Sequence, residues 1–124
     1  MTVAFWAILV ASLLPIASSV LSKWGAKGMD NAAPRAWIEG LSGWRRRADW
    51  AQRNHLEALP PFAAAVIVAH LAHAPQGAAN LLAVAFVLVR IAYTAAYVLD
   101  RPSIRSLLWS VGFACVIGLY VIAA

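Results

Sequence analysis

Charged side chains are scarce in this 124-residue chain: they make up 12% of its residues, whereas hydrophobic residues make up 63%. An ordinary soluble domain is about 45–50% apolar and about 25% charged. The mean hydropathy of +0.74 agrees with this departure. The composition therefore excludes an ordinary soluble domain and predicts a protein embedded in a membrane.

Side chains that form disulfides or bind metals are also few. Cys115 is the only cysteine, so the chain offers neither an intrachain disulfide nor a cysteine zinc site, and packing is the role expected for its thiol. His70 and His73 lie three residues apart. No third ligand accompanies them, which favours an interfacial or packing role over metal binding. We predict no metal site.

No lysine or arginine precedes Lys23. A secretory signal peptide needs a positively charged segment before its apolar core, so a membrane span is favoured over a cleaved signal peptide for the first apolar run. The net charge of +5 raises the question of nucleic acid. However, the cations alternate with membrane spans and form no nucleic-acid-binding motif. Membrane lipids or a small anionic molecule are the favoured partners.

Four segments are long enough to cross a membrane, since a helix needs about 20 mostly apolar residues to span the hydrocarbon core, although the second is polar at its start and apolar only from Ala58 onward. They lie at residues 3–21, 48–74, 78–99 and 103–121. The polar stretch between the first two runs is expected to be a loop with a short helix beginning near Pro34. The sequence thus predicts an all-α membrane protein, a four-transmembrane-helix bundle that forms a single domain over residues 1–124.

The cations are distributed unevenly along the chain. All ten lysine and arginine residues lie between residues 23 and 53 or between residues 90 and 105, around the first and third connections. Cytoplasmic connections of membrane proteins are enriched in these residues. The distribution predicts that both termini lie outside and that the charged face is cytoplasmic.

Polar and ionisable side chains in or next to the predicted spans are the candidates for function, because a charge is costly inside a membrane. On span two they share one broad helical face. On span three they form one stripe, and on span four they occupy the first turn. The three groups are Arg53, Asn54 and Glu57; Arg90, Tyr93, Tyr97 and Arg101; and Arg105 with Ser106.

Two interpretations of this cluster stay open on spacing alone. In the first, Glu57 and Arg90 form a structural buried pair, and the tyrosine and arginine residues are interfacial anchors. In the second, the cluster is a pocket for a small anionic ligand. Guanidinium groups bind carboxylates in pairs, and Glu57 could accept the ammonium group of such a ligand.

Two segments of the cluster are similar to known signatures. Residues 51–60 (AQRNHLEALP) resemble the span-two signature of the membrane-associated proteins in eicosanoid and glutathione metabolism, the MAPEG family. Residues 90–97 (RIAYTAAY) and 101–106 (RPSIRS) resemble the span-three to span-four signature of the same family, and the loop is similar to that of bacterial members. Two positions depart from the pattern. Trp50 stands where several family enzymes have an arginine, and Ala58 replaces a polar or aromatic residue.

The resemblance implies a homotrimer of four-helix subunits in the inner membrane of a bacterium, with glutathione sites between subunits that open toward the cytoplasm. It implies that glutathione is the co-substrate and that lipophilic small molecules are the second substrates. The implied glutathione contacts are Arg53, Asn54, Glu57, Arg90, Tyr93, Tyr97 and Arg101. The implied catalytic residues are Arg105, which would stabilise the thiolate, and Ser106 beside it.

The implied activity is that of a glutathione transferase or peroxidase acting on hydrophobic electrophiles. A thiol with a pKa of about 8.5 is mostly protonated at neutral pH, and lowering that pKa by about two units requires about 2.7 kcal/mol of thiolate stabilisation. A second hypothesis is a non-catalytic trimeric membrane protein that retains a lipid- or ligand-binding groove. A third, a small transporter or channel subunit, is disfavoured because the polar stripe does not reach the uncharged outer end.

Overall fold

Helices account for 80% of the chain, and no residue lies in a β-strand. The computed structural model describes residues 1–124. Its five helices are α1 (Val3–Lys23), α2 (Pro34–Glu39), α3 (Gly43–Leu71), α4 (Gln76–Val98) and α5 (Pro102–Val121). The prediction of an all-α protein is confirmed.

Three helices, α1, α4 and α5, are long and apolar enough to cross a membrane. The longest helix, α3, is not among them, because its first half carries the polar side chains and its apolar part begins only at Ala58. It begins at Gly43 rather than at residue 48, and it ends at Leu71 rather than at residue 74. The earlier end has a local cause, since His73 adopts a left-handed backbone conformation with a φ of 56° that no helix can continue.

Small side chains allow α1 and α3 to pack closely. Ala4, Ala7 and Ala11 of α1 are buried at helical spacing, and Ala65 and Ala69 of α3 are fully buried in the same core. Small residues let helix backbones approach one another, which is how helices associate where no water drives them together. Large apolar side chains are instead exposed along the outer faces of α1, α4 and α5, as expected of surfaces that contact lipid or other subunits.

A pair of stacked rings sets the distance between α3 and α4. The centroids of Phe62 and Phe86 are 3.9 Å apart with an interplanar angle of 9°, and both side chains are buried. The helix α3 continues through Pro60 and Pro61 next to this pair without interruption. The rings therefore hold the two helices together just beyond the polar half of α3.

Three consecutive arginines at the start of α3 each bind the carbonyl end of a different helix. Arg45 donates to two carbonyl groups at the end of α1, at 3.2 and 2.6 Å. Arg46 donates to the last two carbonyl groups of α2, at 3.2 and 2.7 Å. Arg47 donates to the carbonyl of Val98, the last residue of α4, at 3.1 Å. Helix ends carry unpaired carbonyl groups and partial negative charge, so each guanidinium satisfies acceptors that the helix cannot satisfy itself.

We expect Arg47→Ala to lower the free energy of unfolding by about 1–2 kcal/mol, because it leaves the carbonyl end of α4 without a charged donor. Arg35→Ala is the matched control, since Arg35 is exposed and makes no side-chain hydrogen bond. Thermal unfolding in detergent, followed by circular dichroism, measures both. Equal melting temperatures for the two variants would contradict the capping role.

Candidate functional site

Two polar cavities adjoin one another between α3, α4 and α5. The first has a volume of about 430 Å³ and is lined by Trp50, Arg53, Asn54, Glu57, Tyr93 and Tyr97. The second has a volume of about 320 Å³ and is lined by Tyr93, Tyr97, Arg105, Ser106, Trp109 and Ser110. Tyr93 and Tyr97 line both cavities, which therefore adjoin, and we call the two together the polar groove.

A third, mostly apolar cavity continues the polar groove along α3 and α5. It has a volume of about 170 Å³, with Asn54 and Glu57 at one end. The rest of its lining is Ala58, Pro61, Phe86, Trp109, Phe113 and Val116. Trp109 lines both this cavity and the polar groove, and its ring stacks on Phe113 at 5.4 Å. A ligand with a charged part and an apolar part therefore finds both environments side by side.

Most of the residues singled out in the sequence line the polar groove, but Arg90 and Arg101 do not. Arg90 is 2% exposed and lies behind the groove wall. Arg101 is exposed because α4 ends at Val98 and Asp100 turns the chain with a φ of 57°. The helical spacing that placed Arg101 on one stripe with Arg90 thus does not extend beyond the end of α4.

The buried guanidinium of Arg90 is bound by α3. Its Nη2 donates to Oδ1 of Asn54 at 2.9 Å, and Nε and Nη2 lie 3.2 and 3.0 Å from Nδ1 of His55. The guanidinium also lies over the Tyr93 ring, 4.2 Å from its centroid. These contacts join α3 and α4 at one depth of the bundle.

Glu57 and Arg90 form no ion pair within the chain. Asn54 lies between them instead. Its Oδ1 accepts from Arg90, and its Nδ2 donates to Oε2 of Glu57 at 3.1 Å. The direct structural pair considered in the sequence is thus replaced by an amide-bridged connection, and the exposed Glu57 carboxylate keeps its second oxygen, Oε1, without a partner.

Arg53 is held by two carboxylates. It donates to Glu39 of α2 at 2.6 Å and to Asp49 at 3.1 Å. Arg46 also pairs with Glu39, at 3.2 Å. The hydrogen bond from Arg53, followed by that from Arg46, lowers the pKa of the Glu39 carboxyl below its usual value. Ion pairs of exposed side chains contribute little net stability, so Arg53 can exchange Glu39 for the carboxylate of a ligand.

Arg105 has a different environment from the other guanidinium groups of the site. It makes no side-chain hydrogen bond or ion pair, and its guanidinium lies 4.6 Å from the centroid of the Tyr97 ring. A cation over an aromatic face is held in position while its N–H donors stay available. Ser106 lines the same cavity, with the carbonyl of Ser106 accepting from Ser110 Oγ at 3.0 Å.

The family model described as MAPEG family matches residues 3–124 of this chain. The chain belongs to the MAPEG family. Members of this family include glutathione transferases and peroxidases, which use glutathione as a substrate. The resemblance identified from the two sequence segments is confirmed. No curated protein and no solved structure matches the chain significantly.

Several residues at the site of this MAPEG chain carried no clear signal in its sequence. Glu39 is the last residue of the short helix α2, which has no periodic pattern, and Trp109 lies on the apolar span α5. His55 is 3% exposed and hydrogen-bonded to Thr94 at 2.7 Å, a position for which charge and hydropathy patterns give no indication. The sequence contains one indication of these contacts. Thr94 lies four residues after Arg90 on the same helical face, and His55 is adjacent to Asn54.

The MAPEG chain contains no group of three or more histidine, cysteine or acidic residues that could hold a metal ion. The ring of His70 packs against Phe5 in an edge arrangement at 4.7 Å. His70 is exposed, and this contact joins the end of α3 to the start of α1.

The lowered pKa of Glu39 predicts how the α2–α3 contact depends on pH. The ionised carboxylate stabilises the fold above the ordinary value of about 4.3, and this contribution is lost as the pH falls through the lower value of the folded protein. We therefore expect Glu39→Gln to lower the melting temperature at pH 7 and to have less effect as the pH approaches 3. Thermal unfolding across this range at low salt is the measurement.

Asp100→Asn is the control for Glu39→Gln, since Asp100 is exposed and makes no ion pair. It removes one carboxylate without removing an ion pair, so the difference between the two variants at each pH reports the contacts of Glu39. A pH-independent effect of Glu39→Gln would refute the coupling of Glu39 to the two arginines.

Proposed function

We propose that this chain is a membrane-bound glutathione-dependent transferase or peroxidase that acts on hydrophobic electrophiles. One observation carries the proposal: in a MAPEG chain, the polar groove with its unpaired Arg105 adjoins an apolar cavity through the shared Trp109. A thiol bound in the groove and an apolar substrate bound in the cavity would be within reach of each other. Proximity of this kind is a large part of the rate advantage of two-substrate enzymes.

Glutathione has the charges that the polar groove can bind. Oε1 of Glu57 has no partner within the chain and would accept the ammonium group. Arg53 would exchange Glu39 for a carboxylate, which it can bind through two parallel hydrogen bonds. Asn54 and the tyrosines of α4 would contribute neutral hydrogen bonds along the peptide.

Arg105 would stabilise the glutathione thiolate, with Ser106 as a second donor. Deprotonation releases the thiol proton to solvent, and the guanidinium favours the anion that remains. In transfer, the sulfur forms a bond to an electrophilic carbon and the leaving group takes the displaced electron pair. In peroxide reduction, the sulfur attacks the O–O bond to give an alcohol and a sulfenic acid, which a second glutathione converts to the disulfide and water.

The membrane arrangement that fits this function has α3 as a fourth span and three chains in a homotrimer. The polar half of α3 supports this, because its exposed Arg53 and Glu57 would avoid lipid if a neighbouring subunit covered them. The charged ends would face the cytoplasm of a bacterium at its inner membrane, with both termini outside. Glutathione is then supplied from the compartment that keeps thiols reduced.

A non-catalytic membrane protein that keeps the groove is the second candidate. It is favoured by one observation, that Arg53 and Arg90 are already bound by side chains of the same chain. A groove whose cations are internally satisfied can persist without a ligand. The two candidates differ in whether a thiolate forms.

Thiolate formation tests both candidates. We expect purified protein in detergent to bind glutathione and to show thiolate absorbance in the ultraviolet difference spectrum at neutral pH. Arg105→Ala should still bind glutathione, and the thiol pKa should return toward about 8.5, so that the absorbance appears only at higher pH. Arg105→Lys should lie between the two, because an ammonium is a point charge without the guanidinium fork.

Arg35→Ala is the control for charge alone, since it removes an exposed cation that does not line the groove. Binding without thiolate in the wild type favours the non-catalytic candidate. Equal thiolate absorbance in wild type and Arg105→Ala removes Arg105 from its proposed role.

A further inference from the structure

A closed ring of hydrogen bonds lies behind the polar groove. The Arg90 guanidinium binds Nδ1 of His55, and Nε2 of His55 lies 2.7 Å from Oγ1 of Thr94. The Thr94 hydroxyl in turn donates to the backbone carbonyl of Arg90 at 3.2 Å. The ring therefore begins and ends at the same residue, and no buried side-chain nitrogen or oxygen of the protein lacks a partner.

The donors and acceptors of this ring can be arranged in only one direction. A guanidinium has donors and no acceptor, so Nδ1 of His55 must accept and carries no proton. The proton of the neutral ring is then on Nε2, which donates to Thr94. Since the Thr94 oxygen accepts from His55, its own hydrogen is available for the Arg90 carbonyl. One tautomer of one histidine thus fixes the whole ring.

The orientation of Arg90 fixes the amide of Asn54. The guanidinium can bind only the amide oxygen, so Oδ1 faces Arg90 and Nδ2 faces away from it. Nδ2 then donates to Oε2 of Glu57 at 3.1 Å. A flipped amide would place its NH₂ group against the guanidinium and its oxygen against the carboxylate. The amide therefore presents its NH₂ group to Glu57, which occupies one carboxylate oxygen and leaves the other free.

We propose that His55 and Thr94 are positioning residues that, through Arg90 and Asn54, aim the free oxygen of Glu57 at the ammonium group of the bound thiol peptide. The inference rests on the proposed function, because it assigns a task within glutathione binding. Neither residue lines the polar groove. Their effect is therefore transmitted by orientation and not by contact with the ligand.

A matched pair of substitutions at Thr94 separates this task from general packing. Thr94→Val keeps the shape of the side chain and removes the hydroxyl, whereas Thr94→Ser keeps the hydroxyl. Without the hydroxyl, Nε2 of His55 loses its acceptor, and the alternative tautomer would turn an N–H group toward Arg90. The orientation of Asn54, and with it that of Glu57, is then no longer held.

Isothermal titration with two peptides provides the readout. The first is glutathione, and the second is the same peptide without the α-amino group. We expect Thr94→Val to bind glutathione about tenfold more weakly than wild type and to bind the deaminated peptide unchanged. Thr94→Ser is expected to match wild type for both, and kcat at saturating glutathione should change little because Arg105 is unaffected.

Equal losses for both peptides in Thr94→Val would overturn the proposal, since they indicate a packing defect. No loss for either peptide would overturn it as well. A wild-type protein that binds neither peptide would refute the proposed function and the ligand part of this inference together.

The hydrogen-bond ring itself has a test that needs no ligand. In protein with ¹⁵N-labelled histidine, the His55 ring should give the nitrogen shifts of a neutral Nε2–H tautomer in wild type and in Thr94→Ser. Thr94→Val should shift them toward the Nδ1–H form. His55→Asn assigns the signal among the three histidines. A charged or Nδ1–H ring in wild type would overturn the inference whatever the titrations give.

Discussion

A guanidinium inside a helical bundle must find its acceptors within the protein, because a charge removed from water and left unpaired costs several kcal/mol. Arg90 meets this requirement through side chains of α3 and not through a carboxylate. These acceptors are neutral and do not compensate the positive charge, and the amide of Asn54 connects the guanidinium to the Glu57 carboxylate. The positions of α3 and α4, the orientation of Asn54 and the free oxygen of Glu57 all depend on this contact.

The order of residues along α3 then produces the groove. Phe86 lies one helical turn before Arg90 on α4. Its ring stacks on that of Phe62 and holds the same two helices together. Between these two contacts, Glu57, Ala58 and Pro61 line a cavity together with side chains of α5, and Trp109 lies between this mostly apolar cavity and the polar groove. The segment of α3 from Asn54 to Pro61 thus supplies hydrogen-bonding side chains at one end and an apolar surface at the other.

The helices and the family could be predicted from the sequence because both are encoded locally. Apolar length gives α1, α4 and α5, and two short segments carry the family signature. The partner of Arg53 could not be predicted, since Glu39 reaches it from the end of the short helix α2, whose sequence has no periodic pattern. The Arg101 assignment extended a helical spacing beyond the end of α4. The role of His55 could not be predicted either, because a neutral hydrogen bond leaves no mark on charge patterning.

Arg45, Arg46 and Arg47 belong to the cations whose distribution predicts the orientation in the membrane, and each also binds the carbonyl end of a helix. The carbonyl ends of three helices are therefore bound by side chains of one turn of α3. When that turn opens, the ends of α1, α2 and α4 lose their donors at the same moment, so their amide hydrogens should exchange as one cooperative unit. Helix ends that lie far apart in the chain thus form a single cooperative unit, and they unfold together and not one by one.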